Sequence, residues 1–250
     1  MKLVALVKRV PTTDAVARIA ADGKSLDASG LQFMLSFYDE IAVEQAVLLK
    51  EKHGGEVTVL SLGPSDVQKE LRECLAKGAD SAVILKDESW ASRDARSTAK
   101  AIAAKLRGLG ADLILAGRVA TDRDNASVGP MIAAELGIAC VTDVVELSIE
   151  GGQGLAKRES EAGLETYRFP LPALITCQKG LAEPRLSNLK GIMAAKKKPL
   201  EEVAAESVPS QAQVLKLELP PPRPAGRIVG EGAAAVPALM DALANQAKVL

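Results

Sequence analysis

The sequence predicts an α/β fold: a doubly wound parallel sheet with added antiparallel strands and a long C-terminal arm. Three observations lead there. Short apolar runs alternate strictly with Ala-rich amphipathic segments through the first half of the chain, the order that strand–helix–strand crossovers require. Hydrophobic residues make up 48% of the chain and aromatics only 2%, so the core has to be built from Ala, Val, Leu and Ile, which suits buried parallel strands under Ala-rich helices. At 250 residues the chain is long for one domain and short for two, and α/β sheets of this size commonly close around one core.

The elements follow in order. KLVALVK, Lys2 to Lys8, is rich in Val and Leu and predicts a buried strand. A helix is expected from Asp39, where Ile41, Ala42, Gln45, Ala46, Leu48 and Leu49 return near a 3.6 period until Gly54-Gly55. Glu56 to Leu62 reads as a second strand, and Ser65 with Gln68 three residues on predicts a capping box for a helix through Lys77, stopped by Gly78. Ser81 to Leu85 is a third strand, Arg93 to Arg107 an Ala-rich helix and Leu113 to Ala116 a fourth strand. The polar stretch Gly117 to Ser127 leads into a helix that ends near Gly137. From Val144 to Cys177, short alternating strands around Gly151-Gly152 and Gly163 predict a hairpin or meander added to the sheet. Glu183 to about Pro220 shows no sustained periodicity and carries charge clusters, Pro and Ser, the character of a partner-wrapping or binding segment. Pro220-Pro221-Pro222 stiffens the exit, and Ala233 to Lys248 predicts a last amphipathic helix.

Composition removes several function classes. A formal net charge of −1 gives no global attraction to nucleic acid, and the basic cluster Lys196 to Lys198 is too short to change that. Cys74, Cys140 and Cys177 are far apart, odd in number and without Cys-x-x-Cys spacing, which argues against a disulfide framework and against zinc or iron–sulfur ligation and points to a cytoplasmic protein. A first strand starting at Lys2 leaves no room for a leader, and no apolar run approaches the roughly 18 residues needed to span a bilayer. His53, the only histidine, sits before Gly54-Gly55 as a solvated residue at a helix end, so His-based metal sites and Ser-His-Asp catalysis are not expected. Redox work by this chain would need a borrowed cofactor.

In an open parallel sheet, ligands settle beyond the carboxyl ends of the strands, where helix N-termini present N–H groups to anions. The loop after Lys8, the turn Ser61-Leu62-Gly63-Pro64 and the stretch Gly117 to Ser127 occupy such positions. In GRVATDRDNASVGPM, Gly117 to Met131, small and polar residues run straight into a helix, and amides around Asn125 to Val128 suit a phosphate, with Gly129 permitting close approach. The same stretch also reads as an ordinary strand–loop–helix junction. There is no G-x-G-x-x-G and no G-x-x-x-x-G-K-[ST], which excludes an ordinary dinucleotide fingerprint and a P-loop. Asp122 and Asp124, without further nearby ligands, read as loop solvation and turn formation before metal binding. Arg158, Glu159, Glu161 and Glu165 alternate in charge along a strand and read as a solvent face with cross-strand ion pairs.

EPRLSNLKGIMAAKKK from Glu183 to Lys198, RESEAGLET from Arg158 and FYDEIAVEQAV from Phe37 together resemble the beta subunits of electron transfer flavoproteins. The resemblance runs from Lys2 to about Pro199 and more weakly to the C-terminus. It implies an electron-carrier subunit with no catalytic residue or substrate site of its own. Its partners would be an alpha subunit that carries FAD, shared across the heterodimer, and transiently an acyl-CoA-type dehydrogenase. It also implies an adenine nucleotide, AMP or a second FAD, in a pocket of the beta subunit. Members with the second FAD split electron pairs between acceptors, and Val128-Gly129-Pro130 and the ending AKVL look more like that type.

Carried over position by position, the resemblance puts around that nucleotide Leu6, then Ser36, Phe37, Tyr38 and Asp39, then Leu62, and then Ala120, Thr121, Asp122, Arg123, Asp124, Asn125, Ala126, Ser127, Val128, Gly129, Pro130 and Met131. Two departures bear on side-chain contacts: the family's Asn-Pro-Phe is Ser36-Phe37-Tyr38 here, and the Asn before Glu-Pro-Arg is Ala182. The same resemblance gives a partner-docking role to Glu183, Pro184, Arg185, Leu189, Ile192 and Met193, with Leu189 as the inserted anchor, worth about 1.5–3 kcal/mol when buried. Composition alone would fold Leu189 back onto its own domain. The chain would then divide into a nucleotide-binding α/β domain with a strand insertion, 1–182, and a partner-recognition loop and arm, 183–250. A stand-alone adenine-nucleotide-binding module of the universal-stress type has a similar core and is the rival reading, although it would not need the segment beyond Glu183.

Overall fold

Each of the central strands alternates its side chains between two apolar layers. In a computed structural model describing residues 1–223 and 225–250, Leu3 and Ala5 of β1 (Lys2–Leu6) face one layer while Val4 and Leu6 face the other. The strands β4 (Glu56–Gly63), β5 (Ser81–Lys86) and β6 (Leu113–Gly117) do the same. Helices α1 (Phe37–His53) and α2 (Gln68–Lys77) cover the first layer through Ile41, Ala42, Ala46, Leu71 and Leu75. Helices α3 (Ala95–Leu109) and α4 (Val128–Leu136) cover the second through Ala99, Ile102, Ala103 and Ile132. Burial on both faces explains why these strands read as continuous apolar runs, and the helices on both faces make the sheet doubly wound.

The sheet has nine strands in the order β11-β5-β4-β1-β6-β10-β7-β8-β9. It is parallel from β11 (Leu200–Ala204) through β10 (Ala173–Cys177) to the first half of β7 (Ala139–Glu150). The second half of β7 pairs antiparallel with β8 (Gln153–Ser160), and β8 pairs with β9 (Gly163–Pro170), which is the added meander. A short hairpin, β2 (Arg9–Pro11) with β3 (Phe33–Leu35), stands apart from the sheet. Because β4 lies on one side of β1 and β6 on the other, the loops leaving β1 and β6 part company at the centre of the sheet. That divergence leaves a crevice beyond the strand ends.

Several local expectations change. Helix α1 begins at Phe37 rather than Asp39, because the amides of Asp39 and Glu40 already bond back to the Ser36 carbonyl (2.9 and 3.1 Å). The capping box at Ser65 does not form: Pro64 delivers the chain in an extended conformation into a 3-10 turn over Ser65–Val67, and no side chain caps it. LPALITC belongs to the parallel sheet, between β6 and β7, and not to the meander. The stretch expected to lack elements contains α5 (Leu189–Ala195) and β11. A seven-residue helix is too short to show a period, and an edge strand reading LEEVA, with both glutamates exposed, has no apolar face to announce it. At the C-terminus the expected helix is present as one unbroken helical run of changing pitch: 3-10 over Ala233–Ala235, α6 (Val236–Asp241) and a π segment over Ala242–Ala247.

Candidate functional site

The crevice at the centre of the sheet is a cavity of about 150 Å³. Its floor is the ends of β1 and β6 (Leu6, Val7, Lys8, Ala116, Gly117), with Leu62 of β4 to one side. The first turn of α3 supplies Asp94, Ala95 and Thr98, and the loop into α4 supplies Ala120, Arg123 and the run Asn125, Ala126, Ser127, Val128 and Gly129. Of the positions expected around a nucleotide, Leu6, Asp39, Leu62, Ala120, Arg123 and Asn125 to Gly129 line it. Ser36, Phe37, Tyr38, Thr121, Asp122, Asp124, Pro130 and Met131 lie behind or beside it instead. Lys8, Trp90, Asp94 and Thr98 line it and were missed, while Arg118 falls within the stretch Gly117 to Ser127 that was expected there. The sequence carried a signal for two of them: Trp90 is the only tryptophan of the chain, and Asp94 precedes an Ala-rich helix with Ser97 three residues on.

Two buried groups set the shape of the loops. Asp39, 6% exposed, accepts the amide of Lys8 on one carboxylate oxygen (2.8 Å) and that of Gly117 on the other (3.0 Å), tying the end of β1 to the end of β6 through the start of α1. Burial pushes its pKa up to about 7, against those two amides. Ser36 lies fully buried behind the next loop, its Oγ donating to the Val119 carbonyl (3.4 Å) and accepting from the Thr121 amide (3.3 Å). A serine in place of the family's asparagine therefore still holds this loop.

The loop into α4 has an unusual backbone. Asp124 and Ala126 both have positive φ, 50° and 51°, an unusual conformation for residues with a Cβ. Helix α4 starts immediately afterwards with no side chain capping it at Ser127, and Ser127, Val128 and Gly129 of this start line the cavity. Gly129 fits for a reason the sequence did not give. A Cβ there would come within 2.9 Å of Thr176 Cγ2, so the glycine lets α4 lie against β10 whatever occupies the cavity. Asp122 points at Lys8, with Nζ at 2.8 and 2.7 Å from its two oxygens. Burial lowers the Lys8 pKa, opposed by Asp122.

The remaining wall is braced from outside. Asp94 caps α3 through the Ser97 amide (2.7 Å) and accepts the Gln211 and Ala212 amides (2.6 and 3.1 Å), and these bonds hold its carboxyl well below the usual carboxylate range. Arg123 donates to the carbonyls of Arg93 and Ala91 (3.1 and 2.6 Å), Arg93 pairs with Asp87, and Arg118 pairs with Asp143 (2.7 Å).

The segment expected to dock a partner is a second, separate feature. Arg185 folds inward, its guanidinium shared between Glu44 (2.8 Å), itself 4% exposed, and Glu51 (2.7 Å) on α1. Glu183 is exposed and Pro184 half-buried. Beyond this clamp the apolar side chains point to solvent: Leu189 is 77% exposed, and Ile192 and Met193 are exposed beside it. Leu189 does not fold back onto its own domain. Helix α5 is seated on α2 at Gly191, where a Cβ would lie 2.4 Å from the Ala76 carbonyl oxygen. Arg72 binds the Ala195 and Lys198 carbonyls (2.6 and 2.7 Å), and Lys198 reaches the Leu75 carbonyl at the end of α2 (2.9 Å). Gly191 and the last of the three lysines, with Arg72, thus fix the helix that presents Leu189.

Residues 25–208 match the family described as electron transfer flavoprotein domain. The chain is 36% identical to the electron transfer flavoprotein subunit beta of Bacillus subtilis strain 168, with all of both chains covered. It is 35% identical, again over all of both chains, to the subunit of the same name from Bradyrhizobium diazoefficiens. Over 80% of this chain and 77% of the relative, it is 37% identical to the caffeyl-CoA reductase-Etf complex subunit CarD of Acetobacterium woodii.

Proposed function

The chain belongs to the electron transfer flavoprotein family, among its beta subunits, and from that membership we propose that it forms a heterodimer with an FAD-carrying alpha subunit and holds an adenine nucleotide of its own. The heterodimer passes electrons between an acyl-CoA-type dehydrogenase and other redox partners, and the redox chemistry is supplied by the flavin it shares. This chain's residues bind, orient and dock. Residues 1–182 hold the nucleotide and one side of the flavin site; 183–250 face the partners, although β11 returns to the sheet. Three unpaired cysteines fit a reducing compartment, read here as the cytoplasm. Among the described residues, no helix is long and apolar enough to cross a membrane.

One observation supports the nucleotide most directly: the uncapped start of α4, preceded by Asp124 and Ala126 at positive φ, opens into the cavity at the centre of the sheet. Asn125 to Val128 would hold a phosphate of the AMP moiety common to AMP and FAD, and Leu6, Leu62 and Ala120 would line its apolar side. The docking reading draws on exposed Leu189, and a dehydrogenase acting on a CoA ester is in keeping with the CoA-ester reductase complex named for the relative CarD. A universal-stress module is set aside because the likeness to the beta subunits covers the segment beyond Glu183 as well.

Denaturing extraction of the co-purified heterodimer tests this. One FAD plus one AMP per complex is the expected outcome for a simple carrier; two FADs and little AMP would make the complex a bifurcating one, with the same pocket filled. Ser127→Glu places a negative charge at the helix start and should remove specifically the beta-pocket nucleotide while the alpha subunit's FAD stays. A variant with its full nucleotide complement would move the phosphate site elsewhere.

A further inference from the structure

Among the cations that line the cavity, one is paired only with a carboxylate of the loop that leads into α4. Three cationic side chains line it, Lys8, Arg118 and Arg123. Arg118 is held by Asp143, and Arg123 by the carbonyls of Arg93 and Ala91, all outside the lining. The acidic groups of the wall are also committed, Asp39 to the amides of Lys8 and Gly117, and Asp94 to those of Ser97, Gln211 and Ala212. Lys8 differs. Its backbone is fixed by Asp39, but its ammonium sits at the end of a flexible side chain, 2.7 Å from Asp122 on the same loop that presents Asn125 to Ser127. The Trp90 ring lies 5.9 Å from the ammonium. With its side chain only 26% exposed, the ammonium is poorly hydrated, so a second anion within its reach gains more from it than from a surface lysine.

Building on the nucleotide reading above, we infer that Lys8 is the residue by which this cavity selects a phosphorylated adenine nucleotide over the uncharged nucleoside. The amides at the start of α4 fix where the phosphate lies, and the Lys8 ammonium, shared between Asp122 and that phosphate, supplies the charge. Asp122 then acts as the arm that brings the loop and the ligand together on Lys8. Backbone N–H groups alone donate to any acceptor, charged or neutral, whereas a largely buried ammonium discriminates by charge.

The test is made on the co-expressed heterodimer stripped of bound nucleotide and titrated by equilibrium dialysis with AMP and with adenosine. Lys8→Met should weaken AMP binding about tenfold or more while adenosine stays within about twofold, and Lys8→Arg should recover most of the AMP affinity. Where Lys8→Met fails to assemble, Asp122→Asn decides: it keeps the cation and removes its competitor, so the preference for AMP should be retained or raised, and its abolition would overturn the inference. AMP and adenosine falling together in Lys8→Met, or neither falling, would make Lys8 a brace and nothing more. Uptake of neither ligand by the wild-type complex is a different failure, which brings down the nucleotide reading itself.

Discussion

Asp39 is the residue with the most to say about pH. Its pKa, raised by burial from 3.8 to about 7, means that the folded protein binds a proton more tightly than the unfolded chain across that window. The sign follows: where the folded state holds more protons, stability falls as pH rises, so the favourable contribution is present at low pH and is lost on passing through about pH 7. The denaturation midpoint of the heterodimer should therefore fall between about pH 4 and about pH 7, and Asp39→Asn should lack that component. The amide should also cost about 1–3 kcal/mol, because its NH₂ group faces one of the two N–H donors that Asp39 accepts. An equal pH slope in variant and wild type would refute this account. Asp39 was legible in the sequence only through a family pattern. Lys8 was not legible, and Trp90 only as the one tryptophan of the chain, because their place in the cavity depends on strand ends that only the folded sheet brings together.

At the scale of elements, legibility tracked burial. Strands β1, β4, β5 and β6 were readable since both faces are covered, whereas β11 was hidden by its exposed glutamates and β2 and β3 by their length of three residues. Helix starts slipped by about two residues where an aromatic pair, Phe37 and Tyr38, opens the helix in place of a recognisable cap. Helix α5 shows how short elements gain precision from neighbours: Gly191 against α2, Arg72 and Lys198 at its end and the Arg185 clamp before it leave Leu189 displayed on a fixed mount. Leu189→Ala should leave FAD content and heterodimer stability nearly unchanged, while electron transfer from the dehydrogenase slows about tenfold or more at sub-saturating partner concentration. Unchanged kinetics there would remove the anchor from the docking account.

For the whole molecule, the unpartnered surface is concentrated late in the chain. Leu215, Leu219, Ile228, Val249 and Leu250 are exposed along the arm, which is fastened to the body at few points, among them Gln211 on Asp94 and the Leu217 amide on the Gly23 carbonyl (2.8 Å). Expressed alone, the chain should be poorly soluble, and co-expression with an alpha subunit should give a stable 1:1 complex. A well-behaved monomer with no affinity for any alpha subunit would sink the heterodimer. The doubly wound class was legible from alternation alone; the strand order was not, since nothing local in LPALITC says that it will lie between β6 and β7.

That placement governs the timing of synthesis. The four-stranded group β5, β4, β1 and β6 is complete once Gly117 has left the ribosome, and β7, β8 and β9 can form their own ribbon by Pro170. Among the described residues the two share no strand ladder until Ala173–Cys177, buried at all five positions, lies between them. A nascent chain halted before that strand carries two facing open edges, each a template for the wrong neighbour. Emergence of these five residues closes both facing edges at once and leaves the outer edge of β5 as the next to be covered, by β11.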